Sequence, residues 1–132
     1  NKFFRKITKD KNKTLKVLEV KGRKIILENF YNGVVKFDFE ELCNRNLGPE
    51  DYIKVSESCN FIFIEKLPHF EEDNSNQQQR FITLIDIIYE KKIPLMITSY
   101  VDLNSIKSSK SMTKPFKRTI SRLYELTSIN YN

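Results

Sequence analysis

Two arginines near the end of the sequence, Arg118 and Arg122, stand four residues apart, so a helix places both guanidinium groups on one face. A third, Arg80, opens an amphipathic stretch just after the acids Glu71, Glu72 and Asp73. The plain use of such groups is ion pairing with the acidic middle of the chain. Glu65 closes the apolar run Phe61-Ile62-Phe63-Ile64, a pattern that delivers a magnesium-binding acid in enzymes that also carry a phosphate-binding loop. That loop needs glycines close together so that backbone amides converge. Only Gly22, Gly33 and Gly48 are present, none in a GxxxxGK[ST] arrangement. Glu65 is therefore expected to be a solvated strand end, and the chain by itself is not expected to hydrolyse ATP.

Other constellations are poorer. Cys43 and Cys59 form no CxxC pair, and His69 is the sole histidine, so no zinc set is complete and no metal site is expected. Cys43 with His69 lacks the oxyanion donor that a nucleophile pair needs. Both cysteines are expected as reduced, packed thiols. Asp38, Glu40 and Glu41 imitate paired carboxylates, but a solvated helix start explains them better.

The elements that must position these residues follow from the pattern of the chain. With 39% hydrophobic and 30% charged residues over 132 positions, the composition is that of one ordinary globular domain rather than a disordered chain. Residues 1–13 are polar, basic and aperiodic and are expected to form a flexible lead-in. Residues 14–39 alternate around the turn dipeptides Lys21-Gly22 and Asn32-Gly33, which predicts a three-stranded antiparallel meander. Short helices are expected at Glu40–Cys43 and from Pro49. Cys59–Ile64 and Ile93–Ile97 read as buried parallel strands. Between them, Phe81, Leu84, Ile85 and Ile88 predict a helix over 77–91, with Gln79, Thr83, Asp86 and Glu90 on the opposite face. A Ser/Lys-rich loop over 104–114 leads to a last helix at Phe116–Thr127. The fold class is α/β, and residues 40–132 form its second part.

The net charge of +6 is unevenly spread. Residues 1–24 carry ten basic against two acidic side chains, 25–100 seven against thirteen, and 101–132 six against two. Basic ends of this kind can meet a negative surface, or simply reflect a Lys- and Asn-rich composition.

Several stretches resemble the ZapE and Afg-type ATPase family, whose members are AAA+-like P-loop proteins. Arg80-Phe81-Ile82-x-Leu84-Ile85-Asp86-x-x-Tyr89-Glu90 and Phe116-x-Arg118-Thr119-x-Ser121-Arg122-Leu123-x-Glu125-Leu126 are similar to its C-terminal signature. Upstream, Val20-x-Gly22-Arg23, Phe37-x-Phe39-x-x-Leu42-Cys43, Asp51-Tyr52-Ile53 and Leu67-Pro68 agree in order. Gln79, Thr98-Ser99 and Leu126 depart mildly from the family pattern.

The resemblance implies the C-terminal portion of such an ATPase, with the Walker A and Walker B motifs lying before Asn1 and the later strands belonging to a P-loop sheet. It implies ATP and Mg2+ as cofactors of the complete protein. An N-terminal ATPase half would be the first partner, with a homo-oligomer, the division protein FtsZ or membrane proteins as further ones. The location implied is the bacterial cytoplasm or the periphery of the inner membrane. Arg118 and Arg122 are then candidates to meet the nucleotide's terminal phosphate, and Arg80 to act as a finger toward a neighbouring subunit. The alternatives are a non-catalytic interaction module, or a nucleic-acid-binding module using the basic termini. The latter needs basic residues interleaved with exposed aromatics on one face, at which Phe3 and Phe4 among Lys2, Arg5 and Lys6 hint only weakly.

Overall fold

The computed structural model describes residues 2–127. Three strands, β1 (Thr14–Val20), β2 (Arg23–Tyr31) and β3 (Val34–Asp38), form the expected meander. Both turns are two-residue turns with positive φ at each position: Lys21 and Gly22 (49° and 78°), then Asn32 and Gly33 (48° and 97°). This matches the twist of the flanking strands, which is why Lys-Gly and Asn-Gly close them. The chain then forms α2 (Phe39–Cys43) and α3 (Pro49–Glu57), and returns as β4 (Phe61–Leu67) beside β3. Helix α4 (Ser75–Lys91) crosses to β5 (Leu95–Ser99), and α5 (Thr113–Thr127) ends the described chain.

The five strands make one sheet in sequence order. The β1–β2 and β2–β3 pairs are antiparallel, while β3–β4 and β4–β5 are parallel. The mixed α/β fold expected from the pattern is therefore present, with meander and parallel strands sharing one hydrogen-bonded sheet. On one face, Leu18, Ile25, Leu27, Phe37, Ile62, Ile64 and Leu95 pack with the helices, including Phe81, Ile85 and Ile88 of α4 and Phe116 and Leu123 of α5. Burial of these side chains drives the assembly of that layer.

The other face differs from expectation. Residues 2–8 are not a loose lead-in but a helix, α1 (Lys2–Thr8). Phe4 is buried there with Val34 and Phe63, its ring edge-on to Phe63 at 4.9 Å and to Tyr31 at 5.2 Å. Lys36 Nζ sits 4.7 Å from the Phe4 ring centroid. Phe4, Ile7 and Thr8 share the packed side, but so short a basic stretch hides this from a periodicity reading, because its partners lie far along the chain.

Boundaries shift by a few residues elsewhere. Strand β4 starts at Phe61 rather than Cys59 and runs on to Leu67. α4 is preceded by a 3-10 turn at Glu72–Asn74. Asn74 does not cap α4 with its side chain; its amide joins Glu71 N and His69 O instead. The 104–114 stretch carries 3-10 turns at Leu103–Ser105 and Lys110–Met112. Among the described residues no helix is long and apolar enough to cross a membrane.

Candidate functional site

Of the side chains singled out by their chemistry, Arg122 sits where α4 meets α5. Arg122 is ion-paired through Nη1 to Asp86 Oδ1, and its guanidinium lies over the Tyr89 ring, 4.8 Å from the centroid. The Tyr89 hydroxyl donates to Glu125, and that bond, with the carboxylate's charge, pushes the phenol pKa up. Asp86 and Tyr89 are three residues apart on α4; Arg122 and Glu125 are three apart on α5. Matching spacings with matching partners require the two helices to run in the same direction. A planar guanidinium between a carboxylate and an aromatic face is held in one orientation, which an ammonium would not be.

Arg118 lies one turn earlier on the same face of α5. It is exposed, and no ion pair of it occurs among the described residues. The two arginines expected to act together are thus differently placed: Arg122 is half-buried and neutralised, while Arg118 projects with its charge free. Between them on the buried side, Thr119 donates back to Pro115 O at 3.1 Å.

Arg80 does not pair with Glu71, Glu72 or Asp73. Its Nη1 donates to the Cys43 carbonyl at 3.0 Å, at the C-terminal end of α2. A cation there satisfies a carbonyl that the helix leaves open. Cys43 itself is fully buried, and burial pushes its thiol well above the ordinary range. Burial pushes the half-buried Cys59 thiol up to about 12. Neither is a nucleophile at neutral pH.

At the C-terminal ends of the parallel strands, where α/β sheets hold their ligands, the acids are engaged. Glu65 Oε1 is 3.4 Å from Lys36 Nζ, and Asp38 Oδ2 is 3.5 Å from Lys66 Nζ. Glu65 is half-buried and paired rather than solvated, because β3 lies parallel beside β4 and brings Lys36 to it. Among the described residues, no group of three or more His, Cys, Asp or Glu could hold a metal ion. Gly22 and Gly33 serve separate hairpin turns, and Gly48 N donates to Asp51 Oδ2 at 2.8 Å. Among the described residues the three glycines thus serve turns and a helix start, and do not converge on one cradle for a nucleotide's phosphates.

Four further residues that carry the family resemblance join in pairs, Arg23 with Asp51 and Tyr52 with Leu42. Asp51, 1% exposed, accepts from Arg23 Nη2 at 2.8 Å while its other oxygen caps α3. Tyr52 hydroxyl donates to Leu42 O at 2.8 Å. Each bond ties the β1–β2 hairpin or α2 to the helical layer.

Residues 1–132 match the AFG1-like ATPase family. The chain belongs to that family. It is 25% identical over 131 residues, 99% of its length, to the cell division protein ZapE of Escherichia coli K12. It is 29% identical over 98 residues, 74% of its length, to lactation elevated protein 1 homolog B of Danio rerio. An uncharacterized Schizosaccharomyces pombe protein shares 30% identity over 89 residues, 67% of the chain. The chain covers 35% of ZapE and 20% of each of the other two. No solved structure matches it.

Sequence reasoning named Arg80, Arg118 and Arg122 but missed Asp86 and Tyr89 as the partners of Arg122, and Glu125 as the partner of Tyr89. The equal i, i+3 spacings on the two helices were the available signal. It also missed Gln78, which is fully buried. That position falls on the Phe81, Ile85 and Ile88 face by helical period, a clear signal hidden by its polarity.

Proposed function

We propose that this chain is the C-terminal portion of an ATPase that uses ATP and Mg2+ only in the complete protein, with the phosphate-gripping motifs supplied by an N-terminal half. Its own contribution is a braced α4–α5 layer that presents Arg118 to the nucleotide. The observation that carries this reading is the division of labour among the arginines. Arg122 is clamped by Asp86 and Tyr89, and Arg80 is tied to α2, so both position the layer. Arg118, on the same face of α5 as Arg122, keeps its charge available. A free guanidinium on a rigid helix suits the stabilisation of charge on a phosphoryl group.

The cell division role in the name of the Escherichia coli relative supports a matching role here, with the division protein FtsZ or membrane proteins as substrates. On the same reading the complete protein works in the cytoplasm or at the inner-membrane periphery, and assembles as a homo-oligomer. The test compares ATP turnover by the purified chain and by the complete protein. The reading expects turnover only from the complete protein. Turnover by the chain alone, or none by the complete protein, would overturn it.

A further inference from the structure

On the side of α5 facing away from Arg118 and Arg122, an open groove of about 740 Å³ separates this helix from the loop that precedes it. Its floor is apolar, made by Leu103, Ile106, Phe116 and Ile120, and Lys107 and Lys117 stand on its two walls. Among the described residues no acidic side chain lines it, and residues 103–124 contain six basic and no acidic side chains. Only Arg122 among those six is ion-paired within the described residues.

The loop wall is fixed rather than floppy. Gln78 donates to Ser108 Oγ at 2.7 Å and accepts from Ser109 N and Oγ at 3.2 and 2.7 Å. His69 Nδ1 accepts from Lys107 N at 2.9 Å, and Lys107 O accepts from Phe70 N at 2.8 Å. Glu72 accepts from Lys110 N at 2.9 Å. A fully buried glutamine with its amide engaged on both sides holds the wall in place before anything binds, which lowers the ordering cost of binding.

From this arrangement we infer that the groove docks an acidic peptide segment of a partner polypeptide. The apolar side chains of that segment enter between Ile106 and Ile120, and its carboxylates meet Lys107 and Lys117. A strand of nucleic acid fits less well, because among the described residues the one aromatic side chain in the lining, Phe116, is 3% exposed and offers no stacking face. A membrane surface fits less well too, since the apolar residues lie recessed between walls rather than projecting. A small free anion would want a buried charged group, and both lysines are exposed.

The experiment measures fluorescence anisotropy of a labelled peptide alternating glutamate with leucine, against its glutamine counterpart, on the unaltered chain. The acidic peptide is expected to bind at least about tenfold more tightly, the equivalent of two modest charge contacts, and to weaken as salt is raised. Lys107→Glu with Lys117→Glu should remove that preference, and Ile120→Asp should weaken both peptides, with thermal unfolding confirming that each variant folds. Equal binding of the two peptides, or indifference to the lysine reversals, would overturn the inference. So would tighter binding of an oligothymidine strand or of phosphatidylglycerol vesicles that is lost with the same lysines, since the groove would then belong to that polyanion.

Discussion

Arg122 on α5 is ion-paired to Asp86 on α4 and covers the ring of Tyr89, the residue one turn further along the same helix. The two segments of the family signature are therefore one structural joint. Arg122→Ala should lower stability by about 1–2 kcal/mol, combining a partly exposed ion pair with a cation–π contact. Arg122→Lys should recover only part of that loss, because an ammonium lacks the planar stack. Urea unfolding of the three proteins measures both.

Asp51 should be the more damaging site. It is 1% exposed and serves Arg23 and the start of α3 at once. Asp51→Ala removes the pair with the half-exposed Arg23 and uncaps the helix together, at a cost of about 2 kcal/mol or more. Lys21→Ala, which removes the exposed pair with Glu50, should be nearly silent by the same unfolding measurement.

The two glycine turns separate conformational strain from crowding. At Gly22 (φ 78°) an added Cβ meets nothing within 4 Å, so Gly22→Ala should cost about 1 kcal/mol from backbone strain alone. At Gly33 (φ 97°) the same carbon would lie 2.7 Å from Asn60 Nδ2. Gly33→Ala should cost about 2 kcal/mol or more, and pairing it with Asn60→Ala should return the excess.

These turns were legible in the sequence because Gly22 and Asn32-Gly33 carry their conformation locally. Helix α4 was legible because its apolar residues repeat at the helical period. Helix α1 was not, since Phe4 finds its place only against Phe63 and Tyr31, which the chain brings to it from other strands. The arginines could be nominated by type and spacing, but which one remains free depends on Asp86 and on the Cys43 carbonyl, and those contacts exist only after folding. Gln78 stood on the apolar face all along; its hydrogen bonds to Ser108 and Ser109 explain how a polar group is tolerated there.

The cysteines give a pH prediction. Burial raises the Cys59 thiol from the ordinary 9.0 to about 12, and Cys43 is raised in the same direction. Below pH about 9 both thiols are protonated in the folded and the unfolded chain, so neither affects stability. Above it the unfolded chain ionises first, and stability should fall as pH rises from about 9 toward 12. Replacing Cys59 with alanine should flatten part of that fall in unfolding curves taken across the alkaline range. A thiol reagent at pH 8 should label neither cysteine until denaturant is added.

The most direct test of the account is steady-state ATP turnover by the complete protein carrying Arg118→Ala, with its thermal unfolding measured in parallel. An exposed arginine acting on the nucleotide predicts a loss of about a hundredfold or more in kcat with unfolding unchanged. Turnover equal to that of the unaltered protein would contradict it, and would leave α5 as a structural brace.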